Sequence, residues 1–328
     1  MIDSLFTGMN NLTVLVVGDL MIDAYFWGKV ERISPEAPVP VVSVAKKENR
    51  LGGAANVALN LQALGAKAIV VGICGNDSNG EAMKNLLLDN SLTTKGLLPV
   101  SDRPTSIKTR VISSGQQMLR IDEEKTADLD PLDEERVMKH IDQLLAEHTV
   151  DVVLFEDYNK GLLTTRVIEH TIKAAKSLQI PIAVDPKKKN FLHYRGVTLF
   201  KPNLKELREG LKLDIEQINI DTLDDACTLL NEYLDHDISF ITLSEMGVYI
   251  NQRGKSGIFP AHKREIADVS GAGDTVISVA ALCLGLRCDA AVLAQLSNLA
   301  GGLVCEEVGV VPIQKSKLYN EALRTLVV

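Results

Sequence analysis

Toward its C-terminal end the chain reads Val269-Ser270-Gly271-Ala272-Gly273-Asp274-Thr275-Val276, with two glycines around an alanine, then an acid, then an apolar run. Glycines let a backbone close on an anion, and the amides of residues 271–274 are the unpaired donors expected to open a helix over 274–286. Such a loop can hold a phosphoryl group in transit. A carboxylate in the same turn repels phosphate, so Asp274 points instead to chemistry on a hydroxyl. It would accept the proton of an attacking alcohol, and the helix dipole is expected to keep it ionised at neutral pH. A plainer reading makes Asp274 a helix cap beside a tight glycine turn. A dinucleotide fingerprint fits poorly, because Val276 stands where its third glycine belongs. The G-x-x-x-x-G-K-[ST] pattern of a P-loop is absent from the chain.

Other stretches carry complementary chemistry. Gly52 and Gly53 open a helical run in which Asn56 can donate to and accept from a sugar hydroxyl, although tight helix packing explains the glycines equally well. Asp19 and Asp23 follow the apolar run 13–18, at the strand edge where open α/β sheets bind ligands; loop capping is the alternative. Asn203 and Glu206, with Leu204 and Lys205 between them, form either a capping box or an acid aimed at a hydrated magnesium ion, and both can hold together. Lys187, in the run Lys187-Lys188-Lys189, belongs either to a solvated face or to a phosphate site.

These residues need a scaffold. Apolar β-branched runs at 13–18, 68–73, 151–156, 181–185 and 240–244 read as strands buried on both faces. Helical patterns at 54–64, 79–90, 131–147, 164–178, 221–235, 274–286, 289–304 and 314–326 alternate with them, which implies an α/β fold with helices on both faces of a mostly parallel sheet. Residues 32–50, with three prolines and a short alternating strand, and 105–122, a hairpin turning at Ser113-Ser114-Gly115, break the rhythm. They are expected to form one small β lid, from inserts at about 24–50 and 100–124, on a single domain covering 1–328. The proline-rich strand should lie at an edge.

Composition narrows the function classes. With 46% hydrophobic and 24% charged residues and a net charge of -8, the chain suits a globular protein and argues against one built to neutralise nucleic acid. No run approaches the ~20 apolar residues of a membrane span, and the N-terminus lacks a basic leader. Five cysteines without a C-x-x-C pair suggest reduced thiols and a cytoplasmic protein.

Together the stretches Gly52-Gly53-Ala54-Ala55-Asn56, Pro202-Asn203-Leu204-Lys205-Glu206 and Asp268-Val269-Ser270-Gly271-Ala272-Gly273-Asp274 resemble, in this order, the signatures of the ribokinase-like carbohydrate kinase family, nearly end to end. More narrowly, residues 18–42, 52–66, 109–122 and 242–248 look like the branch acting on D-glycero-β-D-manno-heptose 7-phosphate. The resemblance implies a ribokinase-like three-layer sandwich and ATP- and Mg²⁺-dependent phosphorylation of the anomeric hydroxyl, giving heptose 1,7-bisphosphate for ADP-heptose and lipopolysaccharide core. It implies Asp274 as base, with Gly271, Ala272 and Gly273 as anion hole. Asn203, Leu204, Lys205 and Glu206 fall on the ATP side, Glu206 toward the metal, and Thr242, Ser244, Gly247 and Asn298 near the nucleotide. Asp19, Asp23, Gly52, Gly53, Asn56 and Lys187 fall on the sugar-phosphate side.

Two departures stand out. Val269 replaces the more common threonine of the glycine signature, and none of the six histidines lies in the H-x-G-H motif of a nucleotidyltransferase. A kinase-only form is therefore expected, with a separate nucleotidyltransferase in the pathway. Candidates for the substrate phosphate are Lys187, Arg110, Arg120 and Lys160. A homodimer through the lid is expected from its uncovered edge. Other sugar kinases of this fold, an idle sugar-phosphate binder and a dehydrogenase remain open as alternatives.

Overall fold

A strand buried on both faces must be apolar along its buried length, and Thr13–Gly18 (β1), buried from Val14 on, meets this in the computed structural model, which describes residues 2–326. Before it lies α1 (Ile2–Gly8); after it come β2 (Leu20–Ile33), β3 (Pro40–Gly53), α2 (Ala54–Ala63), β4 (Lys67–Gly75), α3 (Ser78–Asp89) and β5 (Leu97–Val100). The middle of the chain forms β6 (Ile107–Ser113), β7 (Gln116–Glu123), α4 (Pro131–Glu147), β8 (Val152–Glu156), α5 (Thr165–Ser177), β9 (Ile182–Asp185) and β10 (Leu199–Phe200). Then follow α6 (Leu204–Leu211), α7 (Ile220–Leu234), β11 (Ile238–Thr242), β12 (Val248–Gln252), β13 (Lys255–Phe259), α8 (Ala272–Gly285), α9 (Ala290–Val304) and α10 (Lys315–Thr325).

The main sheet runs β13-β12-β11-β10-β9-β8-β1-β4-β5, parallel from β11 to β5 and extended at the other end by the antiparallel pair β12 and β13. Side chains alternate between two cores. Val14 and Val16 of β1, with Val152 and Leu154 of β8, face α2, α8 and α9, whereas Leu15, Val17, Val153 and Phe155 face α4, α5 and α7. This is the expected layered α/β architecture. Most expected elements lie within a residue or two of their observed ends. The strand expected at 240–244 ends earlier, at Thr242, because the chain turns at Ser244 (φ 54°) and Gly247 (φ 98°). The helix expected from 274 begins at Ala272, since Gly271 at φ 79° occupies the N-cap and leaves Ala272 as the first helical residue.

A second sheet, ordered β3-β2-β6-β7, joins the two inserts. Its strands come from 20–53 and 107–123 rather than 24–50 and 100–124, and β3 has 14 residues where a short strand was expected. The extension arises because β2 and β3 grow directly out of the core through Ile22 and Leu51, both fully buried. Pro40 opens β3 at the sheet edge, as anticipated. The hairpin of β6 and β7 turns on Ser114 (φ 50°) and Gly115 (φ 79°), a two-residue turn of the type that matches strand twist. One face of this sheet is charged: the register aligns Asp23 with Arg50 and Lys108, Tyr25 with Arg110, and Arg110 with Arg120. Leu119 and Ile121 on the opposite face are half exposed.

Among the described residues no helix is long and apolar enough to cross a membrane. The β8 core is the mechanical base of the site, because its last residue points into the crevice. Phe155→Ala removes a fully buried ring that packs 5.4 Å from Tyr194, and should lower unfolding free energy by about 3–5 kcal/mol in a denaturant titration.

Candidate active site

Asp274, the third residue of α8, is buried, and it does not cap its helix. Its Oδ2 accepts a hydrogen bond from Asn56 Nδ2 at 2.7 Å, and its Oδ1 accepts one from the Tyr158 hydroxyl at 2.8 Å. Asn56 is itself held in place, because the Asn60 amide donates to its backbone oxygen at 2.9 Å while Asn60 Oδ1 accepts from Thr275 Oγ1 and the Ile313 amide, each at 3.0 Å. Burial raises the Asp274 carboxyl to about 6, against the lowering from Asn56 and Tyr158. The helix dipole, expected to favour ionisation, is outweighed by desolvation, yet the group remains mostly ionised at pH 7. Of the four amides expected to be free, that of Ala272 donates to Val269 O at 3.3 Å; those of Gly271, Gly273 and Asp274 donate to no backbone carbonyl among the described residues.

Four residues missed by sequence reasoning complete this centre: Tyr158, Glu156, Asp185 and Lys201. Glu156 and Asp185 end the paired strands β8 and β9 side by side, and Lys201 follows β10. Lys201 Nζ lies 2.7 Å from Asp185 Oδ2, both groups buried. Among the described residues, Asp185 Oδ1 and both oxygens of Glu156 are buried without a hydrogen-bond partner. Burial, then the charges of Asp185 and Asp274, push Glu156 well above the usual carboxylate range. Their signal was positional: all lie at carboxyl ends of parallel strands, where such sheets bind ligands.

The capping box at α6 is present: Asn203 N donates to Glu206 Oε2 and Glu206 N to Asn203 Oδ1, each at 2.8 Å. Glu206 Oε1 accepts from Lys187 Nζ. Lys187, which the sequence reading assigned to the sugar-phosphate side, therefore stands with Glu206 and lies 5.4 Å over the Tyr158 ring. Burial lowers its pKa, but Asp185 and Glu206 more than offset this and hold it above the usual lysine range. Leu204 and Lys205 form the first turn of α6, with Lys205 exposed. Thr242 is bridged to Asn203, and Ser244 and Gly247 form the turn beyond it. Asn298 uses its amide on Pro260 O at 2.9 Å and Phe259 O at 3.3 Å, at the end of β13.

On the other side of Asp274, Asp19 uses both oxygens on backbone: Oδ2 accepts from the amides of Tyr158 (2.8 Å) and Lys160 (3.0 Å), and Oδ1 from Leu162 (3.4 Å). Burial, then Asp157, raises its carboxyl to about 6. Asp19 thus fixes the loop carrying Tyr158. Asp23 is paired with Arg110. A Cβ on Gly52 would stand 2.2 Å from Asp23 Oδ2, so the glycine is what admits that carboxylate. Gly53, at φ 58°, closes on Asp19 O in the same way. Tyr25 OH accepts from the Val310 amide at 3.4 Å and Arg50 donates to Val310 O at 3.2 Å, so the charged face of the second sheet meets the loop that follows α9.

Residues 11–316 match the family model described as pfkB family carbohydrate kinase. The chain belongs to this family. It is therefore a phosphotransferase acting on a sugar hydroxyl, within a family of ATP-using kinases. Among curated relatives, the bifunctional protein HldE of Koribacter versatilis is 40% identical over 328 residues, covering 97% of this chain and 65% of that protein. That of Magnetococcus marinus is 41% identical over 331 residues, covering 98% and 66%. The chain thus spans just under two thirds of the length of these relatives. Among solved structures, phosphofructokinase-2 from Escherichia coli in complex with fructose-6-phosphate superposes with a TM-score of 0.75 at 17% identity, covering 94% of this chain and 98% of that one. Arabidopsis thaliana ribokinase complexed with ribose and ATP gives 0.70 at 18% identity, covering 94% and 98%. These likenesses establish the ribokinase-like fold.

The raised carboxyl of Asp274 costs stability where it is ionised. Its folded pKa of about 6 exceeds the unfolded value of 3.8, so the folded state gains a proton relative to the unfolded one between these values and loses that advantage as pH rises through 6. Asp274→Asn should therefore gain on wild type, by on the order of 2 kcal/mol, between pH 4 and pH 7 in paired denaturant titrations.

Proposed function

We propose that this pfkB-family kinase transfers the γ-phosphoryl group of ATP to the anomeric O1 of D-glycero-β-D-manno-heptose 7-phosphate. The observation that carries the reading is the buried Asp274 carboxylate between Asn56 and Tyr158, directly after a glycine turn with free amides. A base there takes the proton of a sugar alcohol while the amides of Gly271 and Gly273 receive the transferred phosphoryl group. The heptose substrate is supported by the motifs in the second sheet and by the similarity to HldE proteins. Asn203, Thr242, Ser244, Gly247 and Asn298 lie on the ATP side in this reading, with Lys187 and Lys201 toward the phosphates.

Magnesium fits the residues present. This ion keeps several waters and needs only one or two carboxylates. Glu206 has both oxygens engaged, whereas Glu156 and Asp185 offer buried oxygens without partners, so these two are the better holders. When bound, the ion would neutralise charge on the nucleotide phosphates.

For the 7-phosphate, Arg110 and Arg120 are the strongest of the candidates. They stand directly opposite each other on β6 and β7, where Asp23 pairs with Arg110 and Asp122 with Arg120, and the planar fork of each guanidinium leaves further N–H donors for a phosphate. Lys160 is neutralised by Glu124 at 2.6 Å, and Lys187 by Glu206. The second sheet would act as a lid over the sugar, and its half-exposed apolar face would pair with that of a second copy. A nucleotidyltransferase activity would act on the product. The need for ATP and the five free cysteines favour the cytoplasm.

Mixing the protein with Mg-ATP and a panel of phosphorylated and free sugars, and following ADP release, tests the substrate. Turnover of heptose 7-phosphate well above ribose and fructose 6-phosphate is expected; preference for either of the latter overturns the heptose assignment. Asp274→Asn should lower kcat by on the order of 10²- to 10⁴-fold with ATP binding intact by calorimetry. Arg120→Ala should raise KM for the sugar phosphate by about tenfold or more and leave KM for ATP unchanged.

A further inference from the structure

We infer that Tyr158 is a positioning residue for the reaction: its hydroxyl fixes the plane of the Asp274 carboxylate so that a lone pair faces the sugar alcohol. The inference rests on the reading of Asp274 as base. A carboxylate held by one donor still turns about its Cβ–Cγ bond, because that torsion is broad and nearly two-fold. Asn56 supplies only one point, from the deeply buried side on α2. Tyr158 supplies the second on the other oxygen, from the partly exposed crevice side. Two donors on two oxygens define the plane, and each oxygen keeps a second lone pair for the substrate.

The phenol is well held for this task. Its own amide is bonded to Asp19, and the next turn of its loop is fixed by Arg103, which donates to Lys160 O at 2.7 Å and to Ala127 O at 2.6 Å. Lys187 lies over the ring face. Burial, then the charge of Asp274, hold the phenol well above its ordinary pKa, so it remains a donor. Packing alone does not account for it, since a ring filling space needs no hydroxyl aimed at a carboxylate.

A double-mutant cycle separates positioning from packing. Tyr158→Phe keeps the ring and deletes only the donor. We expect it to lower kcat for the sugar by about 10- to 10²-fold while KM for ATP stays unchanged. In the Asp274→Asn background, measured by single turnover with excess enzyme, the same change should cost nothing further, because the hydroxyl acts through Asp274. An equal loss in both backgrounds, or no loss in the wild type, overturns the role of Tyr158 while the base assignment stands. Full turnover by Asp274→Asn alone would remove the base assignment and this inference with it.

Discussion

The placement of one carboxylate in a dry, crowded crevice constrains everything around it. Asp274 sits where desolvation disfavours its charge, and the acid Asp185 lies near enough to add to that penalty. Only directed donors make the ionised form tolerable, and Asn56 and Tyr158 supply them from two separate parts of the chain. The acids Glu156, Asp185, Asp274 and Glu206 face the two ammonium groups of Lys187 and Lys201. Two lysines cannot balance a triphosphate among such acids. A bound cation would relieve this excess of carboxylates over ammonium groups.

The donors to Asp274 also tie it to the second sheet. Tyr158 belongs to a loop whose amides are gathered by Asp19, and two residues on, Lys160 reaches Glu124 just beyond β7. Glu124 in turn meets Lys108 of β6 at 3.1 Å. Asp19 was expected to touch substrate, but its buried, fully used carboxylate makes it the pin of this bracket. Asp274 and the second sheet are thus joined through one short, hydrogen-bonded segment.

Much of this was legible because it is local. The turn from Gly271 to Asp274, the capping box of Asn203 and Glu206, and the edge position of the strand opening at Pro40 each follow from a few consecutive residues. The layered α/β fold followed from runs such as Val14 to Val17, apolar at every position because both faces are covered. What escaped depends on pairings far apart in sequence. Glu156 and Asp185 become one acidic centre only through the β8–β9 register, and Lys201 joins them from a two-residue strand too short to announce itself. Tyr158 looked like ordinary loop material, since nothing nearby reveals that its hydroxyl reaches a residue 116 positions away. The length of β2 and β3 was hidden by their charges, which read as a solvated loop although they lie along paired strands of a sheet.

The helix behind the base explains how such a site stays in register. From Thr275 to Leu284 α8 is buried on every side, packed on α2 and α9, and Thr275 and Ser278 tie it to Asn60 and the Val57 carbonyl. A helix enclosed in this way cannot slide or roll without opening voids in a close-packed core. Its first turn is correspondingly free to be unfavourable: amides without carbonyl partners and an acid out of water are held by the ten residues that follow. The strain of the site and the apolar excess of its supporting helix are therefore one design, and loosening the second would cost the precision of the first before it cost the fold.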